Sequence, residues 1–179
     1  LYILLEPIRK NGNRKILPRC LQPWSNNYEK ICDKFNLNSV KVNALDIERT
    51  FLDKIMAVKR HALCGSHNNK VRHIYDVVML YKRDDIQTFL KNKDNLKILL
   101  NKTKTTDDFY VKKRIACEKY DALGSYAFET WKDKFDDNIK NRYLKLPSEL
   151  LFSKNINLSF EEALTVFEEI NNIFKSIGE

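Results

Sequence analysis

The sequence predicts an α+β protein that is mostly α, with a few short β-strands near the N-terminus followed by a helical bundle. Three observations carry this expectation. The 179 residues include only 4 Gly and 4 Pro, too few for the many turns of a β sandwich. From Asp46 onward, apolar residues recur at three- and four-residue intervals, the period of an amphipathic helix. Before Asp46 two short apolar stretches, Tyr2–Ile8 and Ser39–Leu45, read as strands. The expected division is therefore a β-containing part over residues 1–45 and a helical domain over 46–179. Hydrophobic content of 43% and charged content of 31% suit a folded chain with a real core.

Each element has a local reason. "YILLEPI" is an apolar run that ends near Pro7, because proline cannot donate to a central ladder. "RKNGNRK" is a basic turn around Gly12, and Ser25–Phe35 is a short helix with a serine cap. "SVKVNAL" alternates and is β-branched, a second strand. Asp46 is placed to cap a helix carrying Ile47, Phe51, Leu52, Ile55, Val58 and Ala62, which stops at Gly65. A second helix covers Lys70–Lys82, and two shorter ones follow in "DDIQTFLKN" and "KDNLKILLNK". Asp107–Leu123 reads as a helix with acids at its positive end, stopped by Gly124. Asp136–Leu146 leads to Pro147. Ser159–Ile177 opens with a capping box, Ser159 to Glu162, and carries an apolar stripe at 160, 163, 164, 167, 170, 174 and 177.

The charge is uneven. Residues 1–105 hold 21 basic against 10 acidic side chains, a net +11, and residues 106–179 hold 11 against 14, a net −3, which together give the overall +8. Such a field suits a polyanion, nucleic acid or nucleotide phosphate, although a lysine-rich solvated surface gives the same count. Four cysteines, Cys20, Cys32, Cys64 and Cys117, show no C-x-x-C spacing. They read as reduced structural thiols in a cytoplasm. No apolar run approaches the roughly 18 residues of a membrane span, so no membrane partner is expected.

Charged residues inside the helical patterns are the candidates for chemistry. Lys54 is bracketed by Phe51, Leu52, Ile55 and Val58, where an ammonium needs an anion. The bland reading is an exposed lysine paired with Asp53 or Glu48. Arg72 and Asp76 lie at i, i+4 and share a face, either as a surface ion pair or as an acid with a neighbouring base in a site. Glu6 ends the first strand, where carboxylates serve as metal ligands in nucleotidyl-transfer sheets; an edge-strand charge is the plainer reading. His61, Cys64 and His67 form H-x2-C-x2-H, one half of a zinc site with no second pair. "SYAFETWKDKF" interleaves aromatics with lysines, as an RNA-facing surface does, but core packing is the stronger expectation for Trp24, Tyr28, Tyr110, Tyr120, Tyr126, Phe128, Trp131 and Phe135.

Taken together, "IERTFLDKIMAVKRHA", a polar gap, and "VRHIYDVVML" resemble the paired helices of AbiEii/AbiGii-type nucleotidyltransferases. These are the toxin components of type IV toxin–antitoxin and abortive-infection systems. "LLEPIRK" is similar to the family's acidic strand, and residues 107–135 with the last helix resemble its helical C-terminal region. The resemblance implies a polymerase-β-like nucleotidyltransferase fold, here the remnant of its sheet followed by the bundle. It also implies a nucleoside triphosphate, Mg²⁺, and an acceptor such as tRNA. The family's motif lysine falls on Lys54 and its motif aspartate on Asp76, with Arg72 beside it; Lys54 and Arg72 would bind nucleotide phosphate, and Glu6 would be the acidic strand residue. The family also needs a G-S motif followed by a D-x-D pair, and no such combination occurs in these residues: "GSH" at 65–67 and "GSY" at 124–126 have no D-x-D after them. The expectation is a C-terminal portion that is inactive alone and holds no cofactor by itself. Its partners would be an antitoxin or a missing N-terminal nucleotidyltransferase segment. The competing expectation is a non-catalytic helical module that binds RNA or an antitoxin.

Overall fold

A computed structural model describes residues 15–16, 40–41, 45–114, 117–149 and 158–179. The chain divides into two compact units, Leu1–Leu45 and Asp46–Glu179. In the first, β1 (Lys15–Ile16) pairs antiparallel with β2 (Val40–Lys41), Lys15 opposite Lys41 and Ile16 opposite Val40.

The second unit is helical throughout its regular structure, and the α+β expectation is corrected accordingly. Its described residues contain no strand. Of the expected Ser39–Leu45 strand, Val40–Lys41 is described as strand, and residues 39 and 42–44 lie outside the described residues. The expected Tyr2–Ile8 strand with Glu6, the Gly12 turn, the Ser25–Phe35 helix, Cys20, Cys32, Trp24 and Tyr28 lie outside the described residues.

Six α-helices occur among the described residues: α1 (Ile47–Leu63), α2 (Arg72–Tyr81), α3 (Asp84–Lys91), α4 (Lys93–Arg114), α5 (Asp137–Glu149) and α6 (Phe160–Lys175). Helix α1 buries Phe51, Leu52, Ile55, Val58 and Ala62, residues at helical spacing on one side. It ends at Leu63 and is capped by Cys64, and Gly65 follows at φ +72°, the left-handed conformation glycine adopts without strain. Helix α1 packs along α2 and also meets α3 and α4, while α2 touches α5 and α6.

The sequence pattern overran one helix and split another. "DDIQTFLKN" gives α3, but "KDNLKILLNK" continues without a break into residues 107–114 as α4. Residues 117–127 are irregular rather than helical. Cys117 is bonded to Cys64, and the Tyr120 hydroxyl donates to Asp107 on α4, so this segment is turned back onto the helices. Side-chain ties of this kind are invisible to periodicity. Pro147 lies inside α5, in its last turn, so the helix runs past the expected stop at Leu146 and the hydrogen bond to the Tyr143 carbonyl is missing there.

The core centres on aromatics. Trp131 is fully buried and its indole N–H donates to the Tyr126 carbonyl at 2.9 Å. Its ring meets Phe128 edge-on at 4.7 Å between centroids and Tyr126 at 5.5 Å. Phe167 and Phe174 of α6 close the cluster. Tyr120, Tyr126, Phe128, Trp131 and Phe135 are therefore core residues, as expected, whereas Tyr110 is exposed. Asn171 of α6 accepts from the Phe128 N–H at 3.0 Å, which fixes the turn beginning at Ala127, a non-glycine residue at φ 36°.

Helix α6 is capped as its sequence signals, but only in one direction. Ser159 Oγ accepts from the Glu162 N–H at 3.1 Å. The Glu162 carboxylate pairs with Lys82 of the loop after α2 at 2.8 Å instead of returning to the cap. Ser159→Ala is expected to lower stability by about 1 kcal/mol in urea unfolding.

Candidate functional site

Helices α1 and α2 are antiparallel neighbours, joined by a short connection containing a 3₁₀ turn at His67–Lys70. Two cross-helix pairs show the direction: Lys54 meets Asp76, and His61, seven residues further along α1, meets His73, three residues earlier on α2. Spacings of seven and three each keep both residues on one helical face. The four polar groups therefore form a strip along the seam between two helices that also bury Phe51, Leu52, Ile55, Ile74, Val77 and Val78.

Within the strip, Lys54 Nζ donates to Asp76 Oδ2 at 2.7 Å and lies 3.2 Å from His73 Nδ1. The other carboxylate oxygen, Oδ1, is 4.0 Å from Arg72 Nε. His73 Nδ1 is 3.7 Å from Asp76 Oδ2. The side chains are neither sealed nor free in water: Lys54 is 30% exposed, Asp76 20% and Arg72 38%. Burial pushes the Asp76 carboxyl up, but the adjacent His73 ring and the hydrogen bond from Lys54, with the charges of Lys54 and Arg72, outweigh it and hold Asp76 below the usual carboxylate range. Asp76 is thus an anion at neutral pH.

His61 stacks on His73, ring centroids 5.9 Å apart and planes 24° apart, and its Nδ1 is 2.7 Å from Ser66 Oγ. Burial, followed by the nearby Arg60 and the other basic groups, lowers the His61 pKa to about 4. Unfolded histidine titrates near 6.5. The unfolded chain therefore binds the proton more readily, and stability falls as pH drops from about 6.5 towards 4. His61→Gln is expected to flatten that part of the profile, compared by urea unfolding at pH 7 and pH 5.

The structure brings Lys54, Arg72 and Asp76 together, and the bland pairing of Lys54 with Asp53 or Glu48 is not what forms: Asp53 pairs with Arg49 at 3.0 Å. Glu6 lies outside the described residues. The H-x2-C-x2-H stretch is not a metal half-site. His61 is turned to Ser66, His67 Nδ1 to the Lys134 carbonyl at 3.3 Å, and Cys64 Sγ is bonded to Cys117. That bond corrects the expectation of reduced thiols at two of the four cysteines. Among the described residues no three His, Cys, Asp or Glu side chains are grouped to hold a metal ion.

Sequence reasoning weighed His61 only within the H-x2-C-x2-H stretch and did not place His73 beside Lys54. The signal was present: His73 and Asp76 are spaced i, i+3 beside the i, i+4 pair of Arg72 and Asp76. It also missed Lys59, one of two buried lysines among the described residues. Lys59 donates to the Ser125 carbonyl at 2.6 Å, and burial, then repulsion from Lys104, lowers its pKa to about 8.

A family model described as "Nucleotidyl transferase AbiEii toxin, Type IV TA system" matches residues 18–166. The matched range contains the whole α1–α2 seam. No curated protein and no solved structure matches the chain.

Proposed function

Because this chain belongs to the AbiEii nucleotidyltransferase toxin family of type IV toxin–antitoxin systems, we propose that the α1–α2 seam grips the triphosphate during nucleotidyl transfer to an RNA acceptor. The observation that supports this reading most is the cross-helix ion pair of Lys54 and Asp76 at 2.7 Å, with Arg72 beside it.

The seam carries two cationic side chains against one carboxylate, a surplus of positive charge suited to a polyanion. An ammonium has three N–H donors. Asp76 and His73 direct two of them, leaving the third for a phosphate oxygen. In the transfer itself, an acceptor hydroxyl oxygen bonds to the α-phosphorus as the bond to pyrophosphate breaks, and the hydroxyl proton is released to solvent. Negative charge grows on the departing pyrophosphate, and Lys54 is placed to offset it. Arg72 offers a planar fork to a second phosphate oxygen. Asp76 is a positioning residue that holds Lys54.

Mg²⁺ does not fit the described residues. They contain no metal-ligand group, and Asp76 is committed to Lys54 on one oxygen and faces Arg72 on the other. No step of this reading runs through a metal held here. The sequence contains no G-S…D-x-D combination, and the 179-residue chain by itself is expected to show no metal-dependent transfer.

An antitoxin is the partner class that the family's description implies. No helix among the described residues is long and apolar enough to cross a membrane. We place the reaction in the cytoplasm, with tRNA as the acceptor to try first; the Cys64–Cys117 bond is the feature that pulls against that compartment. The test is transfer of labelled nucleotide to tRNA by the complete toxin, which should fall in both Lys54→Ala and Asp76→Asn. Unchanged rates in both would remove the seam from the reaction.

A further inference from the structure

We propose that His73 is a positioning residue for Lys54, a neutral imidazole whose Nδ1 lone pair forms, with the Asp76 carboxylate, a two-acceptor seat for the ammonium. This rests on the reading of Lys54 given above, but the seat itself can be tested without it.

The distances set the direction of the hydrogen bond. His73 Nδ1 is 3.2 Å from Lys54 Nζ, within hydrogen-bond range, and 3.7 Å from Asp76 Oδ2, outside it. An ammonium can only donate, so Nδ1 accepts and the ring proton sits on Nε2. A second proton on Nδ1 would place a cation against Lys54, beside Arg72. The groups that face the ring are Lys54 and His61 from α1 and Asp76 from its own helix, with Arg72 on the far oxygen of Asp76. Asp76 alone carries negative charge among them, and its near oxygen already accepts from Lys54.

The ring is also fixed in place. It stacks on His61, whose own Nδ1 is engaged by Ser66 Oγ. The chain Ser66–His61–His73–Lys54 therefore runs from the end of α1 back to its middle. A lysine side chain has four rotatable bonds and strays readily. One acceptor restrains the distance of its ammonium, whereas two acceptors restrain its direction as well. A seat that aims the remaining N–H is worth about one charge-assisted hydrogen bond, roughly tenfold in rate.

The seat is tested first on the chain itself. Long-range ¹H–¹⁵N correlation of the ¹⁵N-histidine-labelled chain at neutral pH should show His73 with Nδ1 bare and Nε2 protonated. The Nδ1 resonance should move in Lys54→Met. A doubly protonated ring, an Nδ1–H tautomer, or a resonance indifferent to Lys54→Met overturns the proposal. The second measurement uses nucleotide transfer by the complete toxin. Asn at 73 keeps an acceptor oxygen near the Nδ1 position, so His73→Asn should stay near the wild-type rate while His73→Leu loses about tenfold. Equal losses in the two variants overturn the positioning role. If the resonances behave as stated and Lys54→Ala transfers at the wild-type rate, the two-acceptor seat stands and the transfer reading fails.

Discussion

Lys54→Ala in the complete toxin is expected to cut nucleotide transfer about a hundredfold or more, the usual scale for removing one preorganised donor from a developing negative charge. Binding of the triphosphate should weaken much less, because only part of the Lys54 interaction exists before the leaving group gains charge. The side chain is 30% exposed, so truncation opens no sealed cavity. What it leaves is Asp76, a half-buried carboxylate held below the ordinary range partly by that lysine. Some stability should therefore be lost, and thermal unfolding has to accompany the rate measurement. Asp76→Asn keeps the shape and removes the charge. It should lower the rate less than Lys54→Ala, because the ammonium remains and only its restraint is weakened.

Trp131→Ala is expected to produce the largest loss of stability, about 3–5 kcal/mol in urea unfolding. Trp131 is fully buried and touches rings from Tyr126, Phe128, Phe135 and Phe167. Its removal leaves a cavity that four rigid rings cannot collapse into. It also strips the Tyr126 carbonyl of its indole donor, and the Tyr126 hydroxyl, itself buried, already lacks a partner. Trp131→Phe separates the two contributions. It retains most of the packing and loses the hydrogen bond, and should cost roughly 1–3 kcal/mol. The seam of Lys54 and Asp76 should be preserved in Trp131→Phe.

The helical part of this fold was legible because burial writes its period into the sequence. Phe51, Leu52, Ile55 and Val58 on α1, and Phe160, Ala163, Phe167, Ile170 and Phe174 on α6, are buried residues at the spacings that predicted those helices. The fold class was not legible. The expected class counted strands before Asp46, whereas the unit from Asp46 onward, which holds most of the described residues, contains no strand. The end of α4 was not legible either. Residues 115–123 continue a tolerable helical pattern, while the chain leaves the helix through the bond of Cys117 to Cys64, 53 residues away, and the inward turn of Tyr120.

The seam was partly legible. Helical spacing put Arg72 and Asp76 on one face, and the family resemblance put Lys54 opposite them. Neither showed that His73, one position from Arg72, would supply the other contact to the lysine. Three-residue spacing of His73 and Asp76 marks a shared face on α2, but which face meets α1 is set by tertiary packing. Lys59 and Lys104 illustrate the same limit from the other side. Nothing in their flanking residues distinguishes them from solvated lysines, yet both are almost fully buried: Lys59 against the Ser125 carbonyl, Lys104 against Glu179.

The most direct measurement is a double-mutant cycle in nucleotide transfer by the complete toxin, combining Lys54→Met with Asp76→Asn. If Asp76 acts only by holding that ammonium, adding Asp76→Asn to Lys54→Met should change the rate no further. Losses that multiply in the double variant, or single variants as fast as the unaltered toxin, would contradict the account.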